Sequence, residues 1–385
     1  MNFGLTEEQK MLQDSVRKFI EKEIAPTMEE DLKNHTFRPE VIKKMGDMGY
    51  LGNVVPEELG GNGFGFMEAV LISEELAKVN ASWRLPINMQ NLGPAVTVNK
   101  FGTPEQKERW IPDWVSGDSL GFFAITEANS GSDVISMKTT AVDKGDHYEI
   151  NGSKMWISQA AQGDWGLVYA VTDREAKYKG VSCFVMNLKE TAGVTVRDIP
   201  TKMGLYNSPT GEIAFDGAKV PKDCLLGKPG DGFNICMWQL NNTRLSCAAG
   251  ALGVAGASIK ASVEYANERT QFGKKIGSFQ MIQASIAEMV ADHEAAQLLV
   301  YRAAWLKDQG LPSTYETSLA KYFAAESAVH CANEAMKIHG SYGYSSEYPV
   351  ERYLRDAKSY QVVEGTSNIQ KTIIAGIALG DAKNR

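Results

Sequence analysis

His147-Tyr148-Glu149-Ile150-Asn151-Gly152-Ser153-Lys154-Met155-Trp156-Ile157-Ser158 is the stretch whose reading decides the fold. Two short β-prone runs flank Asn151-Gly152, the strongest short-range hairpin signal, so the pattern predicts two strands joined there. Further runs of the same kind follow: GLVYAVTD from Gly166, VSCFVMNL from Val181, GVTVRDI from Gly193 and GEIAFDGAKV from Gly211. Glycine or polar turns separate them, and no long amphipathic helix intervenes. Residues 119–227 therefore read as a compact β unit.

Both flanks read as helical. In residues 1–118, Thr6 and Gln9 form a capping box, with Leu12, Val16, Phe19 and Ile20 following at helical spacing. Thr103, Pro104 and Gln106 repeat the signal for a helix ending at Gly117. Glu57–Gly65 is a loop by its glycines. Over residues 228–385 the helices are long. One runs from Gly232 to about Glu268, a second is capped by Ser278 and reaches Gly310, and a third spans Ser313 to His339. A shorter helix follows Thr366. Short glycine-containing joints between long helices suggest an antiparallel bundle. The fold class is α+β, in three parts.

Composition narrows the function. The chain has 385 residues, 43% hydrophobic and 23% charged, with a formal net charge of −7. That balance points away from a general nucleic-acid or anionic-membrane binder. The start, MNFGLTEEQKMLQ, lacks the basic-then-apolar pattern of a secretory signal. No run approaches the roughly 18 apolar residues of a membrane-spanning helix. A cytoplasmic location is expected, or the mitochondrial matrix if a leader has been removed. Five scattered cysteines show no zinc or cluster spacing, so reduced structural thiols are expected and no metal.

Four segments carry candidate chemistry. In Ile125-Thr126-Glu127-Ala128-Asn129-Ser130-Gly131-Ser132-Asp133, hydroxyls around a flexible glycine suit a polar ring edge or a phosphate, although ordinary turns share this composition. Strand alternation puts Trp156 and Ser158 on one face, fitting a flat heteroaromatic ligand, or else simple core packing of the indole. Arg269-Thr270-Gln271-Phe272-Gly273, followed by Gln280, sets a guanidinium beside a tight turn, either for a pyrophosphate or merely as a solvated loop. In Tyr360-Gln361-Val362-Val363-Glu364-Gly365-Thr366-Ser367-Asn368, a carboxylate precedes a glycine and a Thr-capped helix start. An exposed acid favoured by the helix dipole is the plainer reading of Glu364 alone.

Taken together and in order, these segments resemble the acyl-CoA dehydrogenase family over essentially the whole chain. ITEANSGSD is similar to the family signature TEPxAGSD, and MWIS, RTQFG and DAKSYQVVEGTSNIQ are similar to the other family segments. The resemblance implies an N-terminal helical domain, a β-barrel-like middle domain and a C-terminal four-helix bundle. It implies FAD as cofactor, an acyl-CoA substrate, a homotetramer and an electron-transfer flavoprotein as acceptor.

By the same resemblance, Ile125 and Thr126 meet the flavin pyrimidine. Trp156 packs on the isoalloxazine, and Ser158 bonds near N5. Arg269, Phe272 and Gln280 serve the pyrophosphate and adenosine, reaching across from a neighbouring subunit. Lys337 and Gly340 lie near the FAD phosphates, and Thr366 and Asn368 contact FAD at the last helix. Ser132 lies near the CoA, with Arg244 and Gly365 by the thioester. Glu364 is the base that takes the α-proton, while its own N–H and a ribityl hydroxyl polarise the thioester carbonyl. An apolar acyl chain over that carboxylate would make it a better base. Ala128, Ser130, Lys337, Ser341 and Asn241 depart from the usual family residues, and none removes the core chemistry.

The branch of closest resemblance acts on glutaryl-CoA and on cyclohexane-carboxyl and cyclohexene-carboxyl thioesters. There Trp83–Asn91 lines the far end of the acyl pocket. Arg84 matches an arginine that holds a distal carboxylate, Asn88 and Asn91 present amides to substrate, and Gln90 replaces a glutamate. The expected substrate is a saturated alicyclic thioester such as cyclohexane-1-carboxyl-CoA, with glutaryl-CoA or a short-chain acyl-CoA next, and a non-catalytic flavoprotein of the same fold as the reading from another class. An exposed, purely surface Arg84 is the alternative.

Overall fold

The computed structural model describes residues 4–380. The chain opens with α1 (Glu7–Glu23), α2 (Met28–Asn34), α3 (Pro39–Asp47) and α4 (Phe66–Val79). Then come α5 (Arg84–Asn91), α6 (Pro94–Phe101) and α7 (Pro104–Ser116). Both expected capping boxes form, at Thr6–Gln9 and at Thr103–Gln106. The Val16, Phe19 and Ile20 face of α1 is buried. Residues Ala69–Ala77 of α4 are buried throughout, including two acids. Glu75 is neutralised by Arg17 and Lys78, each at 2.8 Å, and Glu74 by Lys78 at 2.9 Å. Buried charge is tolerated here because each carboxylate meets a cation.

The middle part holds β1 (Phe122–Ala124), β2 (Thr140–Asp143), β3 (His147–Ser158) and β4 (Trp165–Val171). It continues through β5 (Val181–Asn187), β6 (Val194–Asp198), β7 (Thr210–Pro221) and β8 (Leu225–Leu226). They form one sheet in the order β6-β7-β3-β2-β4-β5-β8, with β1 parallel to β4.

The hairpin expected at Asn151-Gly152 does not form. β3 runs unbroken, antiparallel to β7, and its register slips between Ile150 and Gly152. A Cβ on Gly152 would lie 2.6 Å from Thr139 Oγ1, so this glycine serves a close crossing rather than a turn. The reversal lies earlier, between β2 and β3, where Gly145 takes φ 99° and its N–H donates to Asp143 Oδ1 at 2.8 Å. A second slip, between Lys154 and Ile157, sets Trp156 in the left-handed region at φ 61°.

The last part comprises α8 (Gly232–Glu268), α9 (Gln280–Asp308), α10 (Thr314–His339), α11 (Val350–Tyr360) and α12 (Ser367–Ala378). A small hairpin, β9 (Thr270–Gln271) with β10 (Lys274–Lys275), links α8 to α9. Ser278 does not cap α9. Its hydroxyl donates to Lys275 O at 2.7 Å, and Phe279 precedes the helix with no side-chain cap. α11 was not read from the sequence, although Val350, Tyr353, Leu354, Ala357 and Tyr360 recur at helical spacing and pack into the core, with Arg352 and Asp356 buried beside them.

α8 is the central helix. A Cβ on Gly253 would lie 2.4 Å from Glu74 O, so α4 and α8 meet backbone to backbone. Against the expectation from composition, α8 is long and apolar enough to cross a membrane, with an 18-residue window of mean hydropathy 1.2. However, 72% of that window is buried inside the protein, as befits a core helix. All five cysteines are buried and unpaired.

Candidate active site

Packing of α5, α8, α10 and α11 brings distant residues around the turn that follows Tyr360. Arg84 enters from the first turn of α5 and is 0% exposed, which rules out the surface alternative. Its Nη1 donates to Glu364 Oε1 at 2.8 Å, and Asn88 Nδ2, one turn on, donates to the same oxygen at 3.2 Å. The Arg84 guanidinium carbon lies 5.6 Å from the Tyr360 ring centroid. A Cβ on Gly250 would sit 2.6 Å from Tyr360 OH and 3.0 Å from Arg84 Cγ, so α8 needs glycine there. Burial alone would depress the Arg84 guanidinium; Glu364 outweighs it and raises the group above its ordinary value.

The Glu364 side chain is 7% exposed. Its backbone has φ 58° and Gly365 has φ 87°, two successive left-handed residues. Arg244 Nε donates to Glu364 O at 3.0 Å, and Lys321 Nζ donates to Gly365 O at 2.7 Å. Among the described residues, nothing accepts the Glu364 N–H. Glu364 Oε2, Arg84 Nε and Nη2, Asn88 Oδ1 and Tyr360 OH are buried without partners. So many unmade bonds in one buried place are costly and mark a ligand site. Thr366 caps α12 as expected, accepting from Ile369 N at 3.2 Å. Thr366 and Asn368 line a polar cavity of about 270 Å³ with Glu326, Gln361, Ser367 and Lys371.

Other expected residues fall elsewhere. Asn91 does not face this site: its Oδ1 accepts from Asn53 N at 3.3 Å and its Nδ2 donates to Tyr50 O at 3.0 Å. Gln90 is likewise committed, donating to Trp114 O and Ser119 O and accepting from Gly121 N. Sequence alone could not tell a pocket amide from a backbone brace. Lys337 pairs with both oxygens of Glu334, at 2.7 and 2.8 Å, and Gly340 ends α10 at φ 61°. The Arg269 guanidinium sits 5.5 Å from the Tyr342 ring centroid, roughly 37 Å along α8 from Arg244 at 1.5 Å per residue.

On the sheet, Trp156 is 54% exposed and Ser158 is half-buried, flanking buried Ile157. Thr126 is half-buried, Ser132 is exposed, and Ile125 is buried with its carbonyl accepting from Lys154 Nζ at 3.1 Å. Met155 N donates to Thr126 O at 2.8 Å, so the loop and the tryptophan strand are joined. Among the described residues, neither the Thr126 nor the Ser158 hydroxyl bonds within the protein. An exposed indole beside two free hydroxyls fits the ring and polar edge of a flavin.

The sequence reading missed Lys321, Glu127 and Lys154. Lys154 Nζ, fully buried, bonds Glu127 Oε1 at 2.9 Å, while Lys138 N and Thr139 N donate to the same carboxylate. A lone lysine amid SLAKYFAAESAVHCA was the available signal for Lys321.

Comparison with known proteins gives the family. The chain matches the acyl-CoA dehydrogenase N-terminal domain over residues 6–118, the middle domain over 122–218 and the C-terminal domain over 230–379. It is 47% identical to a glutaryl-CoA dehydrogenase of Desulfococcus multivorans, covering 100% of this chain and 99% of that one. It superposes on a glutaryl-coenzyme A dehydrogenase in complex with glutaryl-CoA with a TM-score of 0.97, at 46% identity, covering 100% and 98% of the two chains. An FAD complex of PigA gives a TM-score of 0.94 at 28% identity, covering 99% and 100%. This chain is a flavin-dependent oxidoreductase acting on acyl-CoA thioesters. It belongs to the acyl-CoA dehydrogenase family.

Proposed function

We propose that the chain dehydrogenates a short acyl-CoA bearing a carboxylate at its far end, glutaryl-CoA being the simplest case. The observation that carries this reading is Arg84, wholly buried beside the base with Nε and Nη2 unpaired. Two free guanidinium donors suit a carboxylate. A cyclohexane ring offers them nothing, so the alicyclic reading draws no support from this residue. The likeness to glutaryl-CoA dehydrogenases supports the same choice.

In this reading Glu364 takes the α-proton: the Cα–H bond breaks and an O–H bond forms on the unpaired Oε2. The electron pair moves towards the thioester carbonyl, where the unspent Glu364 N–H meets the developing negative charge. FAD, when bound, supplies the oxidant by accepting the β-hydride, and the product is the α,β-enoyl thioester. A substrate carboxylate on Arg84 competes with Glu364 for the guanidinium, freeing the base as substrate binds. Arg244 and Gly365 hold the turn, and Ser132 lies towards the CoA.

Ile125, Thr126, Trp156, Ser158, Thr366 and Asn368 would hold the flavin end of FAD. Arg269, Phe272, Gln280, Lys337 and Gly340 would hold the distal end for a neighbouring copy in a homotetramer. Phe272, 92% exposed at the tip of the β9–β10 hairpin, leaves an aromatic ring open to a neighbouring copy in that placement. An electron-transfer flavoprotein would remove the electrons.

Anaerobic titration of the FAD-loaded protein with glutaryl-CoA, butyryl-CoA and cyclohexane-carboxyl-CoA tests the reading. Glutaryl-CoA should bleach the oxidised flavin band fastest. Arg84→Met should cut its kcat/KM relative to butyryl-CoA by on the order of 100-fold or more. Faster bleaching by either other thioester would overturn the substrate assignment.

A further inference from the structure

Lys321, on α10, is 0% exposed, and its ammonium spends its hydrogen bond on the Gly365 carbonyl. Burial pushes the amine below its ordinary value, and two of the four charged or titratable groups facing it, Arg244 and Arg84, push the same way. The other two, Cys247 and Glu364, oppose that shift. Among the described residues no carboxylate pairs with it directly. A buried cation held against a single backbone carbonyl costs more than one helix-to-loop contact returns. Such a placement needs a function at that carbonyl.

The carbonyl belongs to the catalytic turn. Glu364 has φ 58°, a strained conformation for a non-glycine residue that persists only when the surroundings over-determine it. Arg244 fixes the Glu364 carbonyl, and Lys321 with Gln370 Nε2 (3.0 Å) fixes the next one. Peptide units are planar, so pinning two successive carbonyls fixes the planes that follow Glu364. A Cβ on Gly365 would lie 2.7 Å from Gln370 Nε2 and 3.3 Å from Arg244 Nη2, so the clamp closes only over glycine.

We propose that Lys321 is a positioning residue for the base: with Arg244 it holds the left-handed Glu364–Gly365 turn, and so aims the Glu364 carboxylate and free N–H at the acyl group. The inference rests on Glu364 as the base and is independent of which acyl group is bound.

The test compares wild type, Lys321→Met, Lys321→Gln and Glu364→Gln as FAD-loaded proteins. Steady-state kinetics and exchange of the α-hydrogen with deuterium from D2O are followed on glutaryl-CoA and butyryl-CoA. Lys321→Met should lower kcat and α-exchange together by on the order of 100-fold, the cost of a base misplaced by about 1 Å. KM and FAD content should stay within about threefold. Lys321→Gln, which keeps a shorter neutral donor, should recover about tenfold of that loss. If Lys321→Met does not fold, Lys321→Gln carries the test, with about a tenfold loss in kcat at constant KM. Undiminished α-exchange in folded Lys321→Met, or in Lys321→Gln where it stands alone, overturns the proposal. So does a loss that merely follows FAD content. Glu364→Gln that still exchanges the α-hydrogen sinks the base assignment instead, and the Lys321 role with it.

Discussion

Arg84 Nη1 and Glu364 Oε1 lie 2.8 Å apart in the interior, although 280 residues separate them in the chain. Each ion is the other's compensation for leaving water. Breaking such a pair from one side costs about 3–5 kcal/mol, because the remaining charge is stranded. The pair therefore ties the first and last helical parts together while holding the candidate base.

Glu364→Gln keeps an acceptor for Arg84 and should still bind FAD and acyl-CoA. Reductive half-reaction rates, read by stopped-flow flavin bleaching, should fall by on the order of 10²–10⁴-fold. Wild-type reduction in this variant would remove Glu364 from the mechanism. Glu364→Ala should in addition lose about 3–5 kcal/mol in urea unfolding, since Arg84 is left alone.

Gly250→Ala sets a methyl 2.6 Å from Tyr360 OH and 3.0 Å from Arg84 Cγ. Overpacking there should cost about 1–3 kcal/mol and displace the guanidinium. The loss in kcat/KM should be larger for glutaryl-CoA than for butyryl-CoA. Equal losses would show that Arg84 does not read the far end of the acyl group.

Lys154→Met leaves the Glu127 carboxylate buried without its cation. Burial works against that carboxylate's charge, and Lys154, the Lys138 N–H and the Thr139 side chain outweigh it, holding Glu127 below the usual range. The variant should lose about 3–5 kcal/mol and bind FAD more weakly, because Lys154 also anchors Ile125 O beside Thr126. Glu127→Gln combined with Lys154→Met should be less damaging than Lys154→Met alone. Apoprotein titration with FAD and urea melts read both effects.

Lys307 Nζ donates to Asn242 Oδ1 at 2.9 Å, and burial, aided by Arg244, pushes the amine down to about 7 from 10.5. Between those values the unfolded chain binds the proton that the folded chain has shed, so this group makes stability rise with pH from about 7 to 10.5. Below about 7 both states are protonated and its full burial cost is present. Lys307→Met should flatten that rise when urea stability is compared at pH 7.5 and 9.5. An unchanged slope would contradict the assignment.

Asn91→Ala removes the partners of Tyr50 O and Asn53 N. It should cost about 1–3 kcal/mol of stability and leave the order of preferred acyl-CoA substrates unchanged. A switch in substrate order would return Asn91 to the pocket.

Local chemistry was legible from the sequence wherever a few neighbouring residues settle the outcome. The boxes at Thr6–Gln9 and Thr103–Gln106 and the cap at Thr366 form as read, because each closes hydrogen bonds within one turn. Asn151-Gly152 misled for a related reason. Its turn signal is local, yet the glycine answers to Thr139, which immediately precedes the neighbouring strand β2. Ser278 offered a cap that its own hydroxyl spends on Lys275 O instead.

The sequence by itself determined the order of helical, β and helical parts and singled out Glu364 as the candidate base. Only the tertiary structure decided what surrounds that carboxylate. Arg84 meets Glu364, Lys321 meets the Gly365 carbonyl, and Asn91 turns away to brace Tyr50, through the packing of α5, α8 and α10. Periodicity and capping act over three or four residues, whereas these contacts depend on which helix faces meet and how closely. At Gly250 and Gly253 a missing side chain sets that distance, and the charges of the site are placed by it.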